Sequence, residues 1–276
     1  MIDAVAIAGH VRSLLHGDAD AKARAAWELR NLMVSTAPLY EEHASWITRA
    51  GAIPLLVDLL PSGGDGARCA AGALAILAWK NADNKVAIAA AGGIAPLVEL
   101  VRSGRADAKG SAARALANLS RNADNRVAIA AAGGIAPLVE VVWSGSDRAK
   151  GWAANALRNL AYYNPDNQVA IAATGAIAPL VALTRSGGQG AEDAEAALKN
   201  LAHDNVDNRV LIAEAKGDIK ELVALARSAS SDAAKDAAAR ILARRRLAIV
   251  RKCVDGKVPA ELEPIIAVCL ARRGFS

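Results

Sequence analysis

Residues 122–145 read NADNRVAIAAAGGIAPLVEVVWSG, and close variants of this stretch occur before and after it in the chain. Aligning the copies on the isoleucine that follows the glycine turn gives spacings of 41, 41, 42 and 42 residues. The aligned positions are Ile53, Ile94, Ile135, Ile177 and Ile219. A fixed period of this length indicates a repeat protein, and it is too long for tetratricopeptide or ankyrin units, which have about 34 and 33 residues.

Capping residues, glycine and proline divide one copy into three predicted helices. Asp124 and Asn125 suit the N-cap of a short first helix, after which the chain turns at Gly133-Gly134. Pro137 then lies in the first turn of the second helix, where its missing N–H costs nothing, and Ser144-Gly145 ends that helix. One such unit cannot bury its apolar faces alone, so we expect neighbouring copies to stack around a continuous core.

The third helix is predicted from about Ala149 to Ala161, with Leu157 and Leu160 on its buried stripe. This order of a short helix, a glycine break, a proline-started helix and an Ala-Leu-x-Asn-Leu helix resembles the armadillo repeat family, the fold of importin-α and β-catenin. HEAT repeats share the length but normally lack the third-helix asparagine and the separate first helix. The resemblance implies an all-α protein, a right-handed α-solenoid of armadillo repeats with a cap at each end. It covers residues 1–246, through motifs such as Gly92-Gly93-Ile94-Ala95-Pro96-Leu97-Val98 and Ala115-Leu116-Ala117-Asn118-Leu119.

The predicted solenoid forms a single domain over residues 1–276. An N-terminal cap repeat at 1–36 lacks its first helix, and the Met33–Glu42 connection carries an insertion that is either functional or merely tolerated. Residues 247–276, with Pro259 and Pro264, are predicted to form C-terminal cap helices. The repeats between the caps are 37–80, 81–121, 122–163, 164–204 and 205–246.

Composition favours a folded intracellular protein. Hydrophobic residues make up 53% of the 276 residues, and the formal net charge is +5. No charge-free apolar stretch approaches about 18 residues, and no basic segment precedes an apolar run at the N-terminus, so we expect neither a membrane span nor a secretory signal. Cytoplasmic and/or nuclear localisation and a monomeric state are the corresponding expectations. The three cysteines fit reduced thiols, and the four histidines lack metal spacing and are predicted to be surface residues. They are Cys69, Cys253, Cys269, His10, His16, His43 and His203.

One polar position recurs on the third helices, opposite the buried stripe. A carboxamide carries both donors and an acceptor, so such a ladder could pair with the backbone of an extended chain laid across it. The family resemblance implies the same role, because the third helices of armadillo proteins line a concave groove that holds extended peptides. The alternative is that these side chains bond to the backbone of neighbouring repeats. The predicted ladder consists of Asn31, Asn118, Asn159 and Asn200.

Residues flanking the ladder would determine the sequence specificity of the groove. Trp27 and Asn31 reproduce once the Trp-x-x-x-Asn pair with which importin-α clamps basic peptides, but Lys80 and Arg114 would repel a basic ligand. An acidic ligand near the second and third repeats fits better, and Asp193 and Asp204 make its charge mixed toward the C-terminal end. Trp152 is the predicted aromatic anchor, with packing against the adjacent repeat as the alternative. The remaining predicted groove residues are Asn155 and Tyr163.

The resulting hypothesis is a non-enzymatic scaffold or adaptor that binds an extended peptide segment of a partner protein. No nucleophile–base set, cofactor motif or metal-ligand spacing occurs in the sequence, so no catalytic, cofactor or metal site is predicted. Nucleic acid is not the expected partner. Two alternatives remain open: electrostatic docking on nucleic acid or an anionic surface through Arg244–Arg246, and a designed or consensus-derived armadillo array.

Overall fold

A computed structural model describes residues 2–35 and 40–250, which form α-helices and connecting turns without strands. These residues belong to two compact units, Met1–Ala197 and Leu198–Ser276. The all-α fold class is confirmed. In the first unit the helices are α1 (Ile2–His16), α2 (Ala19–Ser35), α3 (Tyr40–Arg49), α4 (Ala52–Leu59), α5 (Gly64–Leu77), α6 (Ala82–Ala90), α7 (Ile94–Ser103), α8 (Ala106–Leu119), α9 (Ala123–Ala131), α10 (Ile135–Ser144), α11 (Asp147–Ala161), α12 (Pro165–Ala173) and α13 (Ile177–Ser186).

Helix α14 (Ala191–Ala202) contains the boundary between the units. The second unit continues with α15 (Val206–Lys216), α16 (Ile219–Ser228) and α17 (Asp232–Val250), which pack around Leu222 and Leu242. Arg209 and Glu221 form an ion pair at 2.6 Å within this unit. The predicted start of the second helix is confirmed at Ile94, Ile135, Ile177 and Ile219.

The predicted N-cap of the first helix is wrong by two to three residues. Asn122 is the cap of α9: its backbone is extended and its Oδ1 accepts a hydrogen bond from the Asn125 N–H at 3.0 Å. Asp124 instead lies in the first helical turn, where its carboxylate interacts favourably with the positive end of the helix dipole. Similarly, α11 begins at Asp147 behind a Ser146 cap, two residues before the predicted start. Asn81, Asn164 and Asn205 cap α6, α12 and α15 in the same way as Asn122.

Alanine-rich third helices form the centre of the first unit. Helices α2, α5, α8 and α11 pack side by side, while the second helices α7, α10 and α13 pack on one another. Leu116 and Leu157 are fully buried and are flanked by buried alanines, which let the helix backbones approach closely. Within the first unit, each repeat therefore buries its apolar faces against the next repeat, as the sequence period predicts.

From α5 onward, a buried asparagine joins each third helix to the first helix that follows it. Asn125 Nδ2 donates to the Leu119 carbonyl at 3.3 Å and to the Lys85 carbonyl at 3.2 Å, so one amide also reaches the preceding repeat. The bond to Leu119 satisfies a carbonyl at the end of the third helix, which has no partner within that helix. Equivalent bonds run from Asn84 to Leu77 at 3.0 Å, from Asn167 to Leu160 at 2.9 Å and from Asn208 to Leu201 at 2.9 Å.

The prediction that the histidines are surface residues is wrong for His43. This residue of α3 is fully buried, and its Nδ1 lies 3.2 Å from the Leu32 carbonyl at the end of α2. With Nδ1 protonated, the imidazole makes the bond that a buried asparagine makes in later repeats. Its ring also contacts Trp46 at 5.7 Å between centroids.

Some of the regions predicted from the sequence lie outside the residues that the structure describes. Part of the Met33–Glu42 connection, at 36–39, and most of the predicted C-terminal cap, with Pro259, Pro264, Cys253 and Cys269, lie outside the described residues. Helix α17 itself runs to Val250.

Within the described ranges, no single helix has the length and apolar character needed to cross a bilayer. Three sharply bent helix pairs meet those criteria only as pairs, by length and composition alone.

Substituting Asn125 with alanine tests the buried link. We expect Asn125→Ala to lower the free energy of unfolding by about 1–3 kcal/mol, because the Leu119 and Lys85 carbonyls lose their donor inside the protein. Urea unfolding followed by circular dichroism measures the change. Ala128→Ser, at an exposed position of the same helix, is the control and should change stability by less than about 0.5 kcal/mol. Equal effects of the two substitutions would contradict the proposed role of Asn125.

Candidate functional site

A cavity of about 230 Å³ lies across the exposed faces of the four side-by-side third helices. Arginines from each helix line it, together with Gly72, Asp107 and Trp152. All of these residues belong to the first unit. The cavity is therefore a feature of several adjacent repeats rather than of one repeat. Its four arginines are Arg30 on α2, Arg68 on α5, Arg114 on α8 and Arg148 on α11.

Three sets of close contacts position the side chains of this cavity. The Arg114 guanidinium lies over the Trp152 ring, with its carbon 5.3 Å from the ring centroid, a cation–π distance. Arg30 crosses the surface of α5 at Gly72, where an added Cβ would lie 2.9 Å from Arg30 Cδ. Glycine at this position thus makes room for the arginine of the neighbouring helix. Arg68 is held by Asp65 at 3.3 Å and by Asp107 at 3.4 Å.

Two asparagines of the predicted ladder, Asn118 and Asn159, form hydrogen bonds to protein backbone. Asn118 Nδ2 donates to the Ala75 carbonyl of the preceding third helix at 2.7 Å, and the side chain is only 2% exposed. Asn159 Nδ2 donates to the Ala117 carbonyl at 3.0 Å. The expectation that Asn118 faces the groove is therefore wrong, because the adjacent third helix covers it. The alternative role fits both residues, because their side-chain amides donate to the backbone of the neighbouring repeat.

The remaining ladder and flanking residues occupy varied positions. Asn31 and Asn200 are partly buried on α2 and α14, whereas Trp27 on α2 is 43% exposed. Asn155, predicted to face the groove, is buried, and its Nδ2 donates to Asp193 Oδ1 at 2.8 Å. Arg158 reaches the same oxygen at 2.9 Å, so Asp193 is already neutralised by a cation.

Lys80 and Tyr163 do not lie on the third helices as the helical count predicts. Helices α5 and α11 end at Leu77 and Ala161, and both residues follow in the left-handed conformation, at φ of 54° and 45°. That conformation is disfavoured for residues with a Cβ and cannot continue a right-handed helix. The Lys80 ammonium instead lies 4.6 Å from the Trp79 ring centroid, and the Tyr163 ring packs edge-on against Tyr162 at 4.5 Å.

Sequence reasoning found Arg114 and Trp152, which the structure brings together, but missed Arg30, Arg68 and Arg148. Arg148 lies one helical turn before Trp152, and Arg68 lies one turn before Gly72, the position that aligns with Arg114 in the next repeat. Extending the polar stripe by one turn would have found these two residues. Arg30 has no such signal, because it reaches the cavity only by crossing Gly72 of another helix.

Cys69 lies beside this cavity but is a buried core residue. Burial raises the pKa of its thiol, and the nearby Arg68 and Arg30 guanidiniums oppose that shift by favouring the thiolate. A neutral thiol in a packed interior is a poor nucleophile, so Cys69 is assigned no chemistry. In the described part of the chain, no group of three or more His, Cys, Asp or Glu side chains is arranged to hold a metal ion.

Comparisons with known proteins agree with this architecture. A family model described as Armadillo/beta-catenin-like repeat matches residues 81–121, which contain α6, α7 and α8. A solved engineered protein shares 28% identity and a TM-score of 0.69, with 87% of this chain and 96% of that one covered. A search of the curated proteins finds no match.

Two further solved structures are designed armadillo proteins. One is described as computationally designed for modular peptide recognition; it shares 25% identity and a TM-score of 0.69, with coverage of 86% and 98%. The other, bound to the peptide (KR)4, shares 25% identity and a TM-score of 0.67, with the same coverage. The stacked three-helix units define a helical repeat protein. Residues 81–121 match the armadillo repeat model, and the chain shares the fold of these designed armadillo repeat proteins.

Replacing Asn118 separates a structural role from a ligand-binding role. We expect Asn118→Ala to lower the free energy of unfolding by about 1–3 kcal/mol, because the Ala75 carbonyl loses a buried hydrogen bond. Thermal and urea unfolding measure the effect. Ser111→Ala, at a less buried position of the same helix, should cost less than about 0.5 kcal/mol. Unchanged stability of Asn118→Ala would contradict the structural role of this hydrogen bond.

Proposed function

We propose that this chain is a non-enzymatic scaffold that binds an extended peptide segment of a partner protein across the faces of its third helices. The observation that carries the proposal is the cavity across α2, α5, α8 and α11, where Arg114 holds the Trp152 ring in place. Tryptophan and arginine are the side chains that most often dominate binding energy at protein interfaces. A pre-positioned pair loses less conformational freedom when a ligand binds.

The spacing of the helices suits an extended ligand. Packed helices lie about 8–10 Å apart, and an extended chain rises about 3.3 Å per residue, so adjacent third helices meet about every third ligand residue. Asn118 is covered by the adjacent third helix, whereas Asn159 is only partly buried. The side-chain amide nitrogen of Asn159 is engaged with backbone, so its carbonyl oxygen is what it can offer a ligand. Trp27 and Asn31 on α2 extend this surface within the first unit, and Asn200 on α14 has the same position in its own repeat.

The charge of the cavity favours an acidic or mixed-charge peptide. Four arginines and one aspartate line it, so a basic peptide would be repelled. This differs from the designed armadillo protein whose bound peptide is written (KR)4. Similarity to designed proteins is compatible with a designed or consensus-derived origin, and such an origin leaves the proposed activity unchanged.

The second candidate function is docking on an anionic surface through Arg244–Arg246. They lie on α17, outside the groove helices, and Arg244 is exposed. Binding through this cluster would fall steeply with salt and would survive substitutions in the groove. A salt titration alongside the groove variants therefore distinguishes the two functions.

Binding of the full chain to an arrayed library of extended peptides tests the proposal. We expect selective peptides that lose at least about tenfold in affinity in Trp152→Ala, because the anchor ring contributes more than about 1.4 kcal/mol. Trp143→Ala is the matched control: this tryptophan is 64% exposed on α10, a second helix, and its removal should leave the affinity unchanged. Binding that Trp143→Ala weakens and Trp152→Ala preserves would contradict the groove assignment.

A further inference from the structure

The arginine cavity has more positive charge than a single carboxylate can balance. Its lining holds four guanidiniums and one carboxylate, which is that of Asp107. Asp65 adds a second carboxylate beside Arg68, so the formal charge is plus two from four minus two. Like charges gathered in one cavity from several helices raise the energy of the empty site, and an anion with several charges relieves it.

The geometry of the cavity also favours a compact anion with several acceptor oxygens. Arg30 approaches from one side across Gly72, Arg114 is held from another by the Trp152 ring, and Arg148 comes from the first turns of α11. A phosphomonoester has three acceptor oxygens and a charge of about −1.5 to −2 at neutral pH, whereas a carboxylate has two oxygens and one charge. Guanidinium groups bind phosphate oxygens through paired hydrogen bonds.

Trp152 connects this cavity to a second one of about 400 Å³. Gly151, Gln189, Gly190 and Asp193 line that neighbour, and Trp152 and Arg148 belong to both cavities. A Cβ on Gly190 would collide with the Gly151 backbone, so this part of the surface is formed by backbone rather than by bulky side chains. An extended chain therefore has room to continue past the Trp152 ring after one of its side chains has entered the arginine cavity.

We infer that the arginine cavity is a subsite for a phosphorylated side chain, such as phosphoserine, carried by the extended peptide of the partner. This inference rests on the proposed peptide-binding function and adds a requirement for phosphorylation of the ligand. Binding of the partner is then controlled by a kinase and a phosphatase that act on it. The chain itself contributes Arg30, Arg114 and Arg148 as the phosphate-binding side chains, while Arg68 stays bound to its two aspartates.

The experiment measures binding of the full chain to matched sets of extended peptides, each synthesised with serine, phosphoserine or glutamate at one position. The phosphoserine form is expected to bind at least tenfold more tightly than the serine form and several-fold more tightly than the glutamate form. Arg30→Gln and Arg148→Gln should each abolish most of this advantage. Arg102→Gln is the control, because that arginine lies on α7, pairs with Glu99 at 2.6 Å and is remote from the cavity lining.

Other outcomes separate the inference from the proposed function. Equal binding of serine and phosphoserine peptides, or of glutamate and phosphoserine peptides, overturns the phosphate subsite and leaves peptide binding intact. A short single-stranded oligonucleotide that binds more tightly than any phosphopeptide, with the same arginine dependence, overturns it in favour of a nucleic-acid site. If no peptide of any form binds, the inference fails together with the proposed function.

Discussion

The fold depends on how the carbonyl groups at the end of each third helix are satisfied after the chain reverses into the next repeat. Asn125 shows the solution: its side-chain amide donates to Leu119 of the preceding third helix and to Lys85 of the preceding repeat. Its own N–H is capped by Asn122. One short polar segment therefore ends a helix, starts a helix and bonds to the repeat behind. Because the segment recurs with the sequence period, the third helices α2, α5, α8 and α11 are brought side by side.

That arrangement makes the candidate site from residues that no single repeat contains. The arginine cavity needs Arg30 from one repeat, the open surface of Gly72 from the next and the Arg114–Trp152 pair from two others. Small residues in the third helices keep these helices close, so side chains of moderate length can converge. Stacking thus provides stability and the candidate site through the same contacts.

The repeat period and the positions of glycine and proline made the helix order predictable, including the start of α7, α10 and α13. They did not identify Asn122 as the cap, because Asn122 and Asn125 have the same propensity and only their backbone geometry distinguishes them. The helical count also treated each third helix as isolated. The neighbouring third helix covers Asn118. Helix α11 ends before Tyr163, whose backbone is left-handed, so the helical count extended this helix one turn too far. The arginine cavity was only half predictable, since it depends on the approach of several helices.

The central claim is that an extended peptide lies across the third helices of the first unit. Photo-cross-linking with a peptide selected from the array, carrying a benzophenone at its centre, tests the claim directly when the labelled residues are mapped by mass spectrometry. The account predicts labelled residues on α5, α8 and α11, concentrated around Arg114 and Trp152. Labelling confined to the second helices α7 and α10, or to α17, would contradict it.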